Sequence, residues 1–140
     1  MRVIIGYGNA LRGEDAFGLH VLKELEKFEL FETKLLTLFG LVPELVLELL
    51  EANEVIFVDA SYATTNHYAL ACDISAQQTP QFSHHIGPKV LISMLKTLYG
   101  KTPKYTIYSI LSNSFEEIQN AELYKNSVNA VAQALFNEKS

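Results

Sequence analysis

The chain has 140 residues, 49% apolar and 19% charged, with a net charge of −5. A chain of that length forms one domain, residues 1–140, that buries about two-thirds of its unfolded surface, and the absence of low-complexity runs excludes intrinsic disorder. The eleven Lys and Arg residues are scattered, which excludes a nucleic-acid footprint, and no stretch approaches the roughly 20 apolar residues of a membrane span.

Met1-Arg2 passes straight into Val3-Ile4-Ile5, too short an apolar run for a signal peptide, so a cytoplasmic location is expected. Residues 2–6 read as a short strand closed by glycine, and Phe17, Val21, Leu22 and Leu25 then recur on one helical face. Residues 34–39 are strand-like again. Pro43 sits where a first helical turn tolerates it, with Leu45, Leu49 and Leu50 at helical spacing behind it. Val55-Ile56-Phe57-Val58 is a continuous apolar run, the pattern of a parallel strand covered on both faces, and it ends at Asp59.

Residues 67–73 form another candidate strand, on which the lone cysteine, Cys72, packs as a small apolar residue. A polar loop over 75–85 leads to Gly87-Pro88 and a helix through Val90, Leu91, Met94, Leu95 and Leu98. Residues 105–111 make a last strand, and 121–136 a C-terminal helix with Leu123, Val128, Val131 and Leu135 toward the core. The alternation of strands and helices predicts an α/β fold: a three-layer α/β/α sandwich on a mostly parallel five-stranded sheet, with the 67–73 strand free to run antiparallel at an edge. Nothing demands more than a monomer. In such sheets ligands bind at the carboxyl ends of strands, so the loops after Gly6 and Asp59 are the places to search.

Gly6-x-Gly8 invites a dinucleotide reading, but the third glycine of that fingerprint falls at Leu11 and no acid closes the second strand. The loop is distinguished instead by Glu14-Asp15 after Gly13. Asp15 alone is explained as a helix cap, Asp59 alone as a cap or turn residue, and His84-His85 alone as loop histidines. Together, two carboxylates and an imidazole supply an O,O,N set with open positions, suited to nickel or zinc and able to polarise a carbonyl or activate water. No His-Glu-x-x-His, Gly-x-Ser-x-Gly or cysteine nucleophile is placed for the common protease mechanisms.

The run Gly6-Tyr7-Gly8-Asn9-Ala10-Leu11-Arg12-Gly13-Glu14-Asp15-Ala16-Phe17-Gly18, followed in order by Val58-Asp59-Ala60 and His84-His85-Ile86-Gly87, is similar to the signature of the nickel–iron hydrogenase maturation proteases. That family removes a C-terminal extension from the hydrogenase large-subunit precursor once nickel is inserted. The resemblance implies an endopeptidase in which Asp15, Asp59 and His84 bind nickel supplied by the substrate and act catalytically through it. Other divalent transition ions are able to substitute, and a one-residue slip would choose His85 in place of His84. It leaves open whether Glu14 assists as a base and whether Asn9 holds the loop or contacts a peptide. Ala16 stands where the family often has glycine, and Glu-Asp replaces the commoner Asp-Asp. Phe39-Gly40-x-x-Pro43-Glu44-Leu45 looks closest to members serving bidirectional, NAD-linked hydrogenases. A second reading is a nickel-sensing assembly chaperone for the large subunit, without hydrolytic activity.

Overall fold

The computed structural model describes residues 1–62, 67–72, 86–112 and 117–138. In chain order these form β1 (Arg2–Tyr7), a 3-10 turn (Gly13–Ala16), α1 (Phe17–Leu25), β2 (Thr33–Leu38), a 3-10 helix (Pro43–Leu49), β3 (Glu54–Tyr62), β4 (Leu70–Cys72), α2 (Pro88–Tyr99), β5 (Lys104–Ser112) and α3 (Ala121–Asn137).

The sheet runs in the order β2-β1-β3-β5-β4, its first four strands parallel. The strand expected over 67–73 shrinks to the three residues of β4, which pair antiparallel with β5 beyond that edge. His67 and Tyr68 stand before it in a turn, Tyr68 at φ 69°, and Asp73 lies outside the described residues.

Alternation along the central strands divides the core into two layers. Ile4, Ile56 and Val58 pack with Phe17, Val21, Leu22 and Leu25 of α1 and with Tyr124, Val128, Val131 and Leu135 of α3. Val3, Ile5, Val55, Phe57 and Ile107 pack on the other face with Leu91 and Leu95 of α2 and with Leu45, Val46 and Leu49. The run from Val55 to Val58 is completely buried, as a strand covered by helices on both faces requires. The segment after Pro43 winds as 3-10 rather than α-helix, yet still turns Leu45 and Leu49 inward. Three residues expected in helical cores instead face outward: Val90, Leu98 and Leu123. In α3 the buried stripe begins at Tyr124, whose spacing to Val128, Val131 and Leu135 continues one helical face that Leu123 misses.

Helix α1 approaches the sheet backbone to backbone. A Cβ on Gly6 would lie 2.3 Å from the Gly18 carbonyl oxygen, and one on Gly18 would lie 2.2 Å from the Val58 carbonyl oxygen. Neither obstacle is a side chain that can swing away. Gly18→Ala is therefore expected to destabilise the fold by about 3 kcal/mol, read as a lower urea midpoint with an unchanged slope. A midpoint equal to that of the native chain would show that α1 can slide off the sheet without cost.

Candidate active site

The site lies where the topology reverses direction. From β1 the chain passes to β2 on one side and then to β3 on the other, so the carboxyl ends of β1 and β3 flank a switch point of the kind that holds ligands in open α/β sheets.

The loop leaving β1 is shaped by glycine and by Asn9. Gly8 has φ 151°, and a Cβ there would meet the Asp15 carbonyl oxygen at 1.9 Å, so the loop folds back on itself at this point. The Asn9 side chain accepts from the Leu11 N–H at 2.9 Å, and its backbone oxygen accepts from Arg12 N–H at 3.0 Å. Its own N–H donates to Asp15 Oδ2 at 3.0 Å. Asn9 thus serves the loop and, through its backbone, the acid. Asp15 is half-buried, and burial raises its carboxyl above 3.8 against the opposing pull of the Asn9 N–H and the Arg12 charge.

Asp59 stands in the carboxyl half of β3, three residues before its end at Tyr62, level with the end of β1 at Tyr7 and directly opposite Ser109 of β5. Tyr7 Oη donates to Asp59 Oδ2 at 2.5 Å, and Ser109 Oγ donates to Asp59 Oδ1. These three polar side chains form a row across three parallel strands, one step beyond the apolar row Ile5, Phe57 and Ile107. Burial pushes the Asp59 carboxyl from 3.8 up to about 6, against the pull of the Ser109 and Tyr7 hydroxyls, and the charge of Asp15 adds to the rise. Tyr7 is pushed well above its usual 10, first by burial and then by the charges of Asp59 and Asp15, so it is a neutral donor. Two carboxylates that feel each other at a poorly solvated strand end are a place where a divalent cation would relieve both repulsion and desolvation. Ser61, two residues on and on the same strand face, is 3% exposed, and its Oγ has no hydrogen-bond partner among the described residues.

Glu14 has a different role from its neighbour. Its carboxylate is wholly buried and accepts from His67 Nε2 at 2.9 Å, the Tyr68 hydroxyl, Ser112 Oγ at 2.5 Å and the Gln119 N–H at 3.1 Å. Burial pushes this carboxyl up, but the bonds from Ser112, Tyr68, His67 and Gln119 outweigh it and hold the group below 4.5. A carboxylate so enclosed is a structural acceptor that ties the β1–α1 loop to β5 and to the approaches of β4 and α3.

The structure thus brings Asp15 and Asp59 into one electrostatic field. His84 and His85 lie outside the described residues, and among those residues no three His, Cys, Asp or Glu side chains gather as a metal cluster. Ile86, the next described residue, packs on the sheet face of Phe57, and its N–H donates to the Leu41 carbonyl at 3.0 Å. Reading the sequence missed Tyr7, Ser109, His67, Tyr68 and Ser112. For Tyr7 a signal exists: it ends a strand as a polar residue after an apolar run.

No family model and no curated protein matches the chain. Solved structures do match it. The NiFe hydrogenase maturation protease HycI from Thermococcus kodakarensis superposes with a TM-score of 0.71 at 24% identity, covering 96% of this chain and 88% of that one. The hydrogenase maturating endopeptidase HybD from E. coli gives 0.68 at 20% identity, covering 96% and 91%. A hydrogenase 2 maturation peptidase from a Thaumarchaeota archaeon gives 0.66 at 17%, covering 96% and 94%. The chain has the α/β fold of these structures.

Proposed function

We propose that the chain is an endopeptidase that removes the C-terminal extension of a nickel–iron hydrogenase large-subunit precursor after nickel insertion. The observation that carries this reading is the pairing of Asp15 and Asp59 at the switch point of a sheet whose fold it shares with HycI and HybD. Phe39 to Leu45 favours precursors of the NAD-linked class, processed in the cytoplasm. No helix among the described residues is long and apolar enough to cross a membrane.

In this reading the nickel is part of the substrate. Asp15 and Asp59, completed by His84, grip the ion carried by the precursor, and the grip fixes the neighbouring scissile peptide against the site. The ion supplies Lewis-acid chemistry toward a carbonyl or a water. The chain's own contribution is to hold two carboxylates in a poorly solvated notch where each favours a cation over the other's charge. Other divalent transition ions have the same claim on oxygen donors.

The test is incubation of the purified protein with its precursor, with and without nickel, followed by intact mass. Nickel-dependent loss of the extension is expected. Asp15→Ala is expected to slow it by about 100-fold or more, while melting within ~3 °C of the native chain because the lost contact is one half-buried N–H bond. Binding without cleavage of a verified cognate precursor would sink the protease reading and leave the chaperone reading in its place.

A further inference from the structure

Among the described residues Asp59 is the proposed nickel ligand that the sheet itself holds, and both of its oxygens are already engaged by hydroxyls of neighbouring strands. A buried carboxylate on a strand end, with rotation open about two side-chain bonds, would otherwise present its oxygens in several directions. Here the rotation is closed from both sides. Tyr7 lies on β1, Ser109 on β5, and the in-register pairing of three parallel strands sets all three side chains at one level on one face. The apolar row Ile5, Phe57 and Ile107 beneath them is buried, so the row has a rigid floor.

We propose that Tyr7 and Ser109 are positioning residues for Asp59, orienting its carboxylate toward a divalent cation carried by the polypeptide substrate. The proposal rests on the protease reading for its substrate, but its geometry belongs to the chain alone. Each hydroxyl donates to one carboxylate oxygen and leaves that oxygen's second lone pair for the ion. Neither group touches the reacting peptide. Their contribution is the orientation of a ligand, the kind of support whose loss typically costs 10–100-fold in metal affinity or activity.

The experiment uses the full chain and the nickel-loaded precursor. Tyr7→Phe removes one oxygen and keeps the ring on β1; Ser109→Ala removes the other hydroxyl, and Ser109→Thr keeps it on a side chain that suits a strand. Tyr7→Phe and Ser109→Ala are expected to lower kcat/KM by about 10–100-fold, and Ser109→Thr to recover most of that loss. Native kcat/KM in both deletion variants would overturn the proposal, as would a loss in Ser109→Thr equal to that in Ser109→Ala. If the native chain leaves the precursor intact, the protease reading fails separately. Titration with nickel ions alone then decides the positioning role: Tyr7→Phe binds about tenfold more weakly if it holds, and equally well if it does not.

Discussion

Asp59→Asn is expected to make the chain more stable at pH 8 while abolishing cleavage. The folded-state carboxyl is raised from 3.8 to about 6, chiefly by burial. The folded chain therefore holds this proton more tightly than the unfolded chain, and the stability it contributes is complete below about pH 4 and lost as the pH rises through about 6. The interval between the two values corresponds to about 3 kcal/mol. An amide of the same shape carries no charge to desolvate, its oxygen accepts one hydroxyl, and the other hydroxyl can turn to accept from its NH2 group.

The variant should therefore exceed the native chain by about 1–3 kcal/mol above pH 6 and lose that advantage near pH 4. Urea unfolding of both chains across pH 4–8 measures it. The difference isolates Asp59 from His20, whose pKa is lowered by burial and then by Lys23, so that His20 alone gives a slope of the opposite sign. A variant less stable at pH 8 would mean that the Asp59 carboxylate is held by donors strong enough to outweigh burial. Loss of cleavage together with gained stability would mark Asp59 as a residue that function retains at a cost to the fold.

Glu14→Ala is expected to destabilise the chain strongly, taking up a large share of its stability. It removes the acceptor shared by His67, Tyr68, Ser112 and the Gln119 N–H, of which Ser112 is fully buried, and opens a cavity among them. Breaking such a network costs about 3–5 kcal/mol, against a total stability of about 5–15 kcal/mol for a domain. Glu14→Gln separates structure from catalysis. Its oxygen must face the Gln119 N–H, which can only donate, leaving the NH2 group toward Ser112 and His67, where the serine hydroxyl is able to accept. That rearrangement costs about 1–2 kcal/mol. If the enclosed carboxylate is purely structural, Glu14→Gln cleaves the precursor within a few-fold of the native rate. A fall of about 100-fold or more in a folded Gln variant would restore Glu14 as a general base. Because Glu14 is held below 4.5, its contribution to stability is present above that value and lost as the pH falls through the folded pKa.

Much of this was legible in the sequence because it depends on local pattern. The run Val55 to Val58 is apolar throughout, which only a strand covered on both faces tolerates, so its burial followed directly, although β3 runs on past Asp59 to Tyr62. The Gly6-x-Gly8 loop and the acid pair after Gly13 marked the place to search. The extent of β4 was not legible: the alternation over 67–73 cannot say that Tyr68 turns at positive φ to reach Glu14. Nor could spacing distinguish the two adjacent acids. Glu14 and Asp15 have nearly the same local signal, and their difference arises from what distant parts of the chain bring to them: Ser112 and Gln119 enclose one, while Asp59 confronts the other. Sequence by itself determined the parallel strands, most of the helix faces and the candidate acids, because side-chain periodicity is a property of the chain. Only the tertiary structure decided which acid is a buried acceptor and which faces the charge of Asp59, and that Tyr7 and Ser109 flank Asp59, because strand order and register are set by packing between distant segments.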